Sequence, residues 1–340
     1  MKNLLLLAIF LPVSFYSSAQ NTDSSQVYFK KGLDEKAARR YLVAATYFDR
    51  AINFNPKFTQ AYIENGKVDL EMRKVDAAMG SFTKANQLEP ANPDAIRELT
   101  SLYFNNRQFE KAIDMLQKCK DCPDAEKIVA MSNYNLEDYG KAVIGLQKAL
   151  AKSPNDAEML YTLGRSYLEL EDNKNAITSY EKAVAIDPAK NAWVYELGLM
   201  YYNQDQYADA LKCFNKASDA GYAKSNDFLE NIGFAYLYSN DIDNGIKNLS
   251  IVLSRKPNNV ELLTDIAQAM YKVHRYDDAL VYYQKLMELN PKDANTLYMA
   301  GMAFQKKGQK EKGQSMCDKA IAMDPSLASK RQKQGEQFGL

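Results

Sequence analysis

Cys119 and Cys122, three residues apart in the run CKDC, are the densest chemistry in this 340-residue chain. A dithiol of that spacing can cycle with a disulfide, but a working redox thiol sits at a helix N-terminus, where the dipole favours thiolate. The helix frame derived below puts Cys119 at the end of a helix, the wrong pole. The pair therefore reads as packing residues or as a local structural disulfide stapling a shortened turn. A thiol oxidoreductase is the weaker rival. Cys213 and Cys317 fall at packing positions of later helices and read as small buried hydrophobes. His274 is the chain's one histidine, with no cysteine beside it, which gives a metal ion no ligand set. No phosphate-binding loop, nucleophile elbow or zinc-protease motif occurs. The expectation is a chain with no catalytic residues, no cofactor and no metal.

Charge points the same way. Lys and Arg total 43, Asp and Glu total 43, so no basic stripe steers nucleic acid and no acidic tail stands out. The N-terminus has a different plan. Lys2 precedes an apolar run from Leu4 to Val13, and Ser17 and Ala19 stand where a secretory leader places small residues before its cut. The run is shorter than the roughly 20 residues of a membrane span. Residues 1–19 are thus expected to be a signal peptide, with export to the periplasm, the outer membrane or beyond. Residues 20–24 would form a short N-terminal segment.

The elements that must position everything else are written as a repeat. NAITSYEKAVAIDP (175–188) returns as KAVIGLQKALAKSP (141–154), DALVYYQKLMELNP (278–291) and AATYFDRAINFNP (44–56). Pro56, Pro90, Pro154, Pro188, Pro257, Pro291 and Pro325 are spaced by 34 residues or by gaps that hide one further unit. Filling the frame gives about nine units over 25–327, starting near Ser25, Thr59, Pro93, Pro123, Ala157, Asn191, Asn226, Val260 and Ala294, with 93–122 shortened. In unit 157–190, Leu160, Leu163, Gly164 and Tyr167 mark one face of a first helix, and Ala176, Tyr180 and Ala183 mark a second. Residues 328–340 are polar enough to solvate the end of a stack as a cap or tail.

This period with these small residues and closing prolines resembles the tetratricopeptide repeat family. The segment KASDAGYAKSN (216–226) is similar to turns of the related Sel1-type repeats. The resemblance implies an all-α, right-handed superhelical solenoid of helix-turn-helix units, with a capping helix, that binds protein or peptide segments without catalysis. It also implies a concave face built from first helices, whose lining positions here hold Tyr161, Arg165, Tyr195, Leu199, Tyr202, Phe234, Tyr238, Tyr271 and Tyr298. Tyrosine is favoured at recognition surfaces because it offers large contact area at low entropic cost. The Lys and Asn clamp of the family's chaperone-binding members is absent, since Tyr161, Arg165, Tyr195 and Leu199 stand there. The expected role is an envelope scaffold or adaptor. Its rival is a structural subunit of an envelope or secretion assembly that uses the convex face.

Overall fold

The computed structural model describes residues 14–119, 122 and 124–329, with side chains from Ser24 onward. The core of the expected leader and nearly all of the expected C-terminal cap lie outside the described residues. Those that are described form eighteen α-helices and one terminal 3-10 turn, with no strand. They divide into two units at Asp172.

The first unit holds α1 (Ser14–Ala37), α2 (Tyr41–Phe54), α3 (Thr59–Glu71), α4 (Val75–Leu88), α5 (Pro93–Asn105), α6 (Phe109–Leu116), α7 (Ala125–Asn135), α8 (Tyr139–Lys152) and α9 (Ala157–Glu169). The second holds α10 (Asn173–Ile186), α11 (Asn191–Asn203), α12 (Tyr207–Asp219), α13 (Asn226–Tyr238), α14 (Ile242–Arg255), α15 (Val260–Lys272), α16 (Tyr276–Leu289), α17 (Ala294–Lys306) and α18 (Lys310–Met323), closed by the 3-10 turn Pro325–Leu327. Within each unit, first and second helices pack as antiparallel pairs, and each pair packs on the next.

The pairing rule is visible at two glycines. A Cβ on Gly66 would stand 2.7 Å from the ring of Phe82, and one on Gly198 would stand 2.7 Å from the ring of Phe214. The bulky residue of a second helix therefore lies flat on the small residue of its own first helix, sixteen places earlier. Phe48, Phe82, Leu146, Phe214, Leu249 and Tyr283 all occupy that position and are fully buried. Small and large must alternate here because a packed interior leaves no slack for an added methyl group.

Each first helix ends in the same way. Arg39, Arg73, Arg107, Glu137 and Glu171 in the first unit, and Asp205, Asn240, His274 and Gly308 in the second, adopt positive φ. The next residue's N–H then reaches back to a carbonyl of the last turn, as Gln108 does to Tyr103 at 2.8 Å and Gln206 to Tyr201 at 2.9 Å. That left-handed residue closes the helix and reverses the chain. First helices start on side-chain caps where the sequence supplies them: Asn92, Asp156, Ser225, Asn259 and Asp293 each accept a backbone N–H from the first turn.

The short unit departs from the pattern. α6 is 8 residues long where its counterparts run to 13 or 14. The lost turns are replaced by a disulfide between Cys119 and Cys122, with Cα atoms 5.7 Å apart. Both cysteines pack against the apolar cluster of Ile96, Leu99 and Leu116. Cys317 is buried, and burial pushes the half-buried Cys213 thiol up to about 11, so Cys213 is not a ready thiolate.

Candidate functional site

The nine candidate lining residues fall into three groups. In the first unit, Tyr161 and Arg165 lie partly exposed on α9. The Arg165 guanidinium sits 6.0 Å from the Tyr134 ring centre, so an aromatic face of its own unit already occupies it.

Tyr195 and Tyr298 form the second group, and they correct the expectation of an open row. Tyr195 is 8 % exposed and Tyr298 is 2 % exposed. Both hold the fifth place of a first helix, the side that meets the next element along the chain. Tyr195 stacks on Tyr222 at 4.5 Å and packs at a tilt against Phe228 at 5.6 Å, and its hydroxyl accepts from Asn231 Nδ2 at 2.8 Å. Tyr298 packs with Cys317, Ala320 and Leu327 of the closing 3-10 turn. These rings join successive elements and are not available to a partner.

Leu199, Tyr202, Phe234, Tyr238 and Tyr271 make up the third group, all partly exposed in the second unit. Tyr202 meets Tyr238 at 6.3 Å, and Phe234 meets Tyr238 at 6.3 Å, so the rings of α11 and α13 form a continuous aromatic surface. Burial, followed by the neighbouring Tyr238 and Tyr207, pushes the Tyr202 phenol well above its usual range. It stays neutral and acts as a hydrogen-bonding apolar surface. Tyr271 stands apart, packed edge-on against Tyr276 at 5.4 Å.

Two residues of this cluster were not among the candidates. Tyr207, at the start of α12, lies 5.6 Å from Tyr202 and 4.9 Å from Tyr238. Tyr222, beside the positive-φ Gly221 in the α12–α13 connection, covers Tyr195. The signal for Tyr207 is periodic. Phe104 with Phe109, Tyr134 with Tyr139, Tyr202 with Tyr207 and Tyr271 with Tyr276 are all pairs five apart that bracket the left-handed turn residue. Such a pair staples the turn, which accounts for Tyr271 without a partner.

Carboxylates border the aromatic surface. Burial pushes Glu230 above the usual carboxylate range, and Asp227, Asp265 and Glu261 push it further. Asp265 is raised by burial and by Glu261. Among the described residues, no group of three or more His, Cys, Asp or Glu is arranged to hold a metal ion, and no helix is long and apolar enough to cross a membrane. His274 shares a 2.7 Å hydrogen bond with the Tyr276 hydroxyl in its turn.

Sequence profiles described as tetratricopeptide repeat match residues 130–191, 161–223 and 294–327. Similar curated proteins include anaphase-promoting complex subunit 3 of Schizosaccharomyces pombe, 24% identical over 41% of this chain and 22% of that protein. Another is DnaJ protein P58IPK homolog A of Oryza sativa subsp. japonica, 24% identical over 48% of this chain and 38% of that protein. The chain thus spans less than half the length of these relatives. Among solved structures, the C-terminal part of a TPR repeat-containing protein from Cytophaga hutchinsonii is similar, with 20% identity, a TM-score of 0.46, and coverage of 68% of this chain and 95% of that one. Residues 130–223 and 294–327 thus match tetratricopeptide repeats, and one helix-pair packing rule recurs in both units.

Proposed function

We propose that the chain is a non-catalytic scaffold of the cell envelope that holds protein or peptide segments on the aromatic surface of α11 and α13. Proteins of this repeat family bind protein or peptide partners, and one similar protein is by name a subunit of a complex. The observation that carries the reading is the continuous, partly exposed set Leu199, Tyr202, Phe234 and Tyr238 on neighbouring first helices. A connected aromatic patch left open to water favours association. The leader-like N-terminus is the ground for placing the scaffold outside the cytoplasm.

The rival, a structural subunit that uses second-helix surfaces, draws on Leu42, Ile144 and Val281, each more than 60 % exposed (68%, 69% and 65%). Ile144 and Val281 stand singly on α8 and α16 and Leu42 has only the exposed Val43 beside it on α2, and small, scattered exposed apolar residues are ordinary. The test is the double variant Tyr202→Ala with Phe234→Ala. Removing true anchors costs about 2 kcal/mol or more each, whereas rim contacts cost little. Capture of the partner from envelope extracts should fall at least about thirtyfold while helicity persists. Capture that survives this variant but fails when Ile144 and Val281 are replaced by Asp would transfer the function to the second helices.

A further inference from the structure

The aromatic surface of the second unit has an acidic border, in which the charges acting on Glu230 and Asp265 are other carboxylates. Asp227, Glu230, Phe234 and Tyr238 follow one another three or four residues apart, so they share one stripe of α13. Glu261 and Asp265 are four apart on α15. Asp265 lies close enough to act on Tyr202, Tyr238 and Glu230 alike, which joins the two stripes into one field. Ion pairs elsewhere in this unit join Lys212 with Asp209, Arg275 with Asp278, and Lys307 with Asp277. Lys272 of α15 places its ammonium 4.7 Å from the ring centre of Tyr238. One ring of the surface is thus already engaged in the cation–π contact that a basic side chain from outside would make.

We propose that this surface takes an extended, cationic peptide segment, whose Arg or Lys side chains meet Glu230 and Asp265 while its apolar side chains lie on Tyr202, Phe234 and Tyr238. The inference rests on the scaffold reading and names the class of partner. Charge complementarity selects that class. The whole chain is balanced at 43 acidic and 43 basic residues, so the acidic bias is local to this surface. The carboxylates are spread over two helices and are not gathered as a metal site, which suits side-chain cations distributed along a strand. Spacing selects an extended form. Packed helices lie about 8–10 Å apart, and an extended chain in the polyproline II form advances about 3.1 Å per residue with three residues per turn, so every third side chain returns to the same face and meets the next first helix. A basic residue in each triplet returns to the acidic border, and an apolar one returns to the rings.

The probe follows from that spacing. Three fluorescent peptides, each of four triplets, carry Arg-Leu-Ser, Gln-Leu-Ser or Glu-Leu-Ser, and anisotropy measures their binding to the full chain. The Arg peptide should bind about tenfold or more tighter than the Gln peptide, with the Glu peptide weakest, and its advantage should shrink as salt rises. Glu230→Gln with Asp265→Asn should bring the Arg peptide to the level of the Gln peptide and leave the latter unchanged. Asp243→Asn with Glu288→Gln, exposed carboxylates on α14 and α16, should change nothing.

Equal binding of the Arg and Gln peptides, equal damage from the control pair, or binding of none of the three would overturn the proposal. The Tyr202→Ala and Phe234→Ala variant separates the two readings. If it weakens all three peptides while charge makes no difference, the groove stands and the cationic preference falls. If charge matters but this variant has no effect, the groove itself is wrong.

Discussion

Glu64 in the first unit and Glu230 in the second are first-helix carboxylates drawn partly out of water, yet their surroundings are opposite. Burial pushes Glu64 up, but Lys36 at 2.5 Å and Lys67 at 3.0 Å more than offset it and hold the group below the usual range. Burial also pushes Glu230 up, and there the neighbours are Asp227, Asp265 and Glu261, which add to the shift. The contrast extends to the cysteines. The first unit closes its shortened pair with the Cys119–Cys122 disulfide, while Cys213 and Cys317 of the second form no disulfide. One unit pairs Glu64 with two lysines and mends its own irregular repeat. The other keeps an unsatisfied field beside exposed rings, the arrangement expected where stability has been exchanged for recognition.

The disulfide provides the largest test of this difference. A loop closed over so few residues still removes unfolded-state freedom equivalent to about 2 kcal/mol in the chain-entropy account. Cys119→Ser with Cys122→Ser should therefore lower the first unit's melting temperature. The chain's one tryptophan, Trp193, lies on α11 in the second unit and reports that unit separately. Circular dichroism should show the loss, while Trp193 fluorescence should shift less, because repeats couple chiefly to their neighbours. Equal shifts in both signals would mean that the two units melt as one and that the comparison has no energetic content.

Glu64→Gln should have the next largest effect. Removing one member of a buried ion pair costs about 3–5 kcal/mol when both partners are enclosed. Here Lys36 and Lys67 keep side-chain exposures of 29% and 26%, so solvent absorbs much of that and about 1–2 kcal/mol remains. The loss should again appear in circular dichroism before it appears at Trp193. A variant as stable as the parent would show that the lysines contribute nothing beyond screening.

How much of this was legible in the sequence depends on which face a residue presents. The repeat period, the small-over-large pairs such as Gly198 with Phe214, and the short α6 all follow from spacing, because intra-pair packing recurs at a fixed offset. Tyr195 and Tyr298 were misread because their burial depends on what comes next in the chain, namely Tyr222 and Phe228 for one and Leu327 for the other. Periodicity identifies the face of a helix but not the element that covers it. Tyr207 was overlooked for a related reason. It belongs to a second helix, and only the reversal at Asp205 brings it over Tyr202. The acidic border is legible as letters, but four carboxylates in a chain of balanced charge become a feature only when α13 and α15 lie side by side.

The smallest effect is a matter of sign, and it tests the comparison most directly. A carboxyl whose folded pKa is raised binds its proton more readily in the folded chain than in the unfolded one. Stability then falls as pH rises through the window from the unfolded value, near 4, to the raised folded value. Glu230 and Asp265 should impose that slope on the second unit, whereas Glu64, with its lowered pKa, should make the first unit lose stability as acid protonates it. Glu230→Gln with Asp265→Asn should remove the slope and raise the Trp193 melting midpoint at neutral pH. The gain should be no more than about 0.5 kcal/mol, because Asp265 is exposed and water screens it. The same substitutions are expected to abolish the preference for the Arg peptide, so one variant should gain stability and lose recognition. If the midpoint at neutral pH is unchanged or lower and the slope persists, the carboxylates are already neutralised by the protein, and the second unit differs from the first in composition alone.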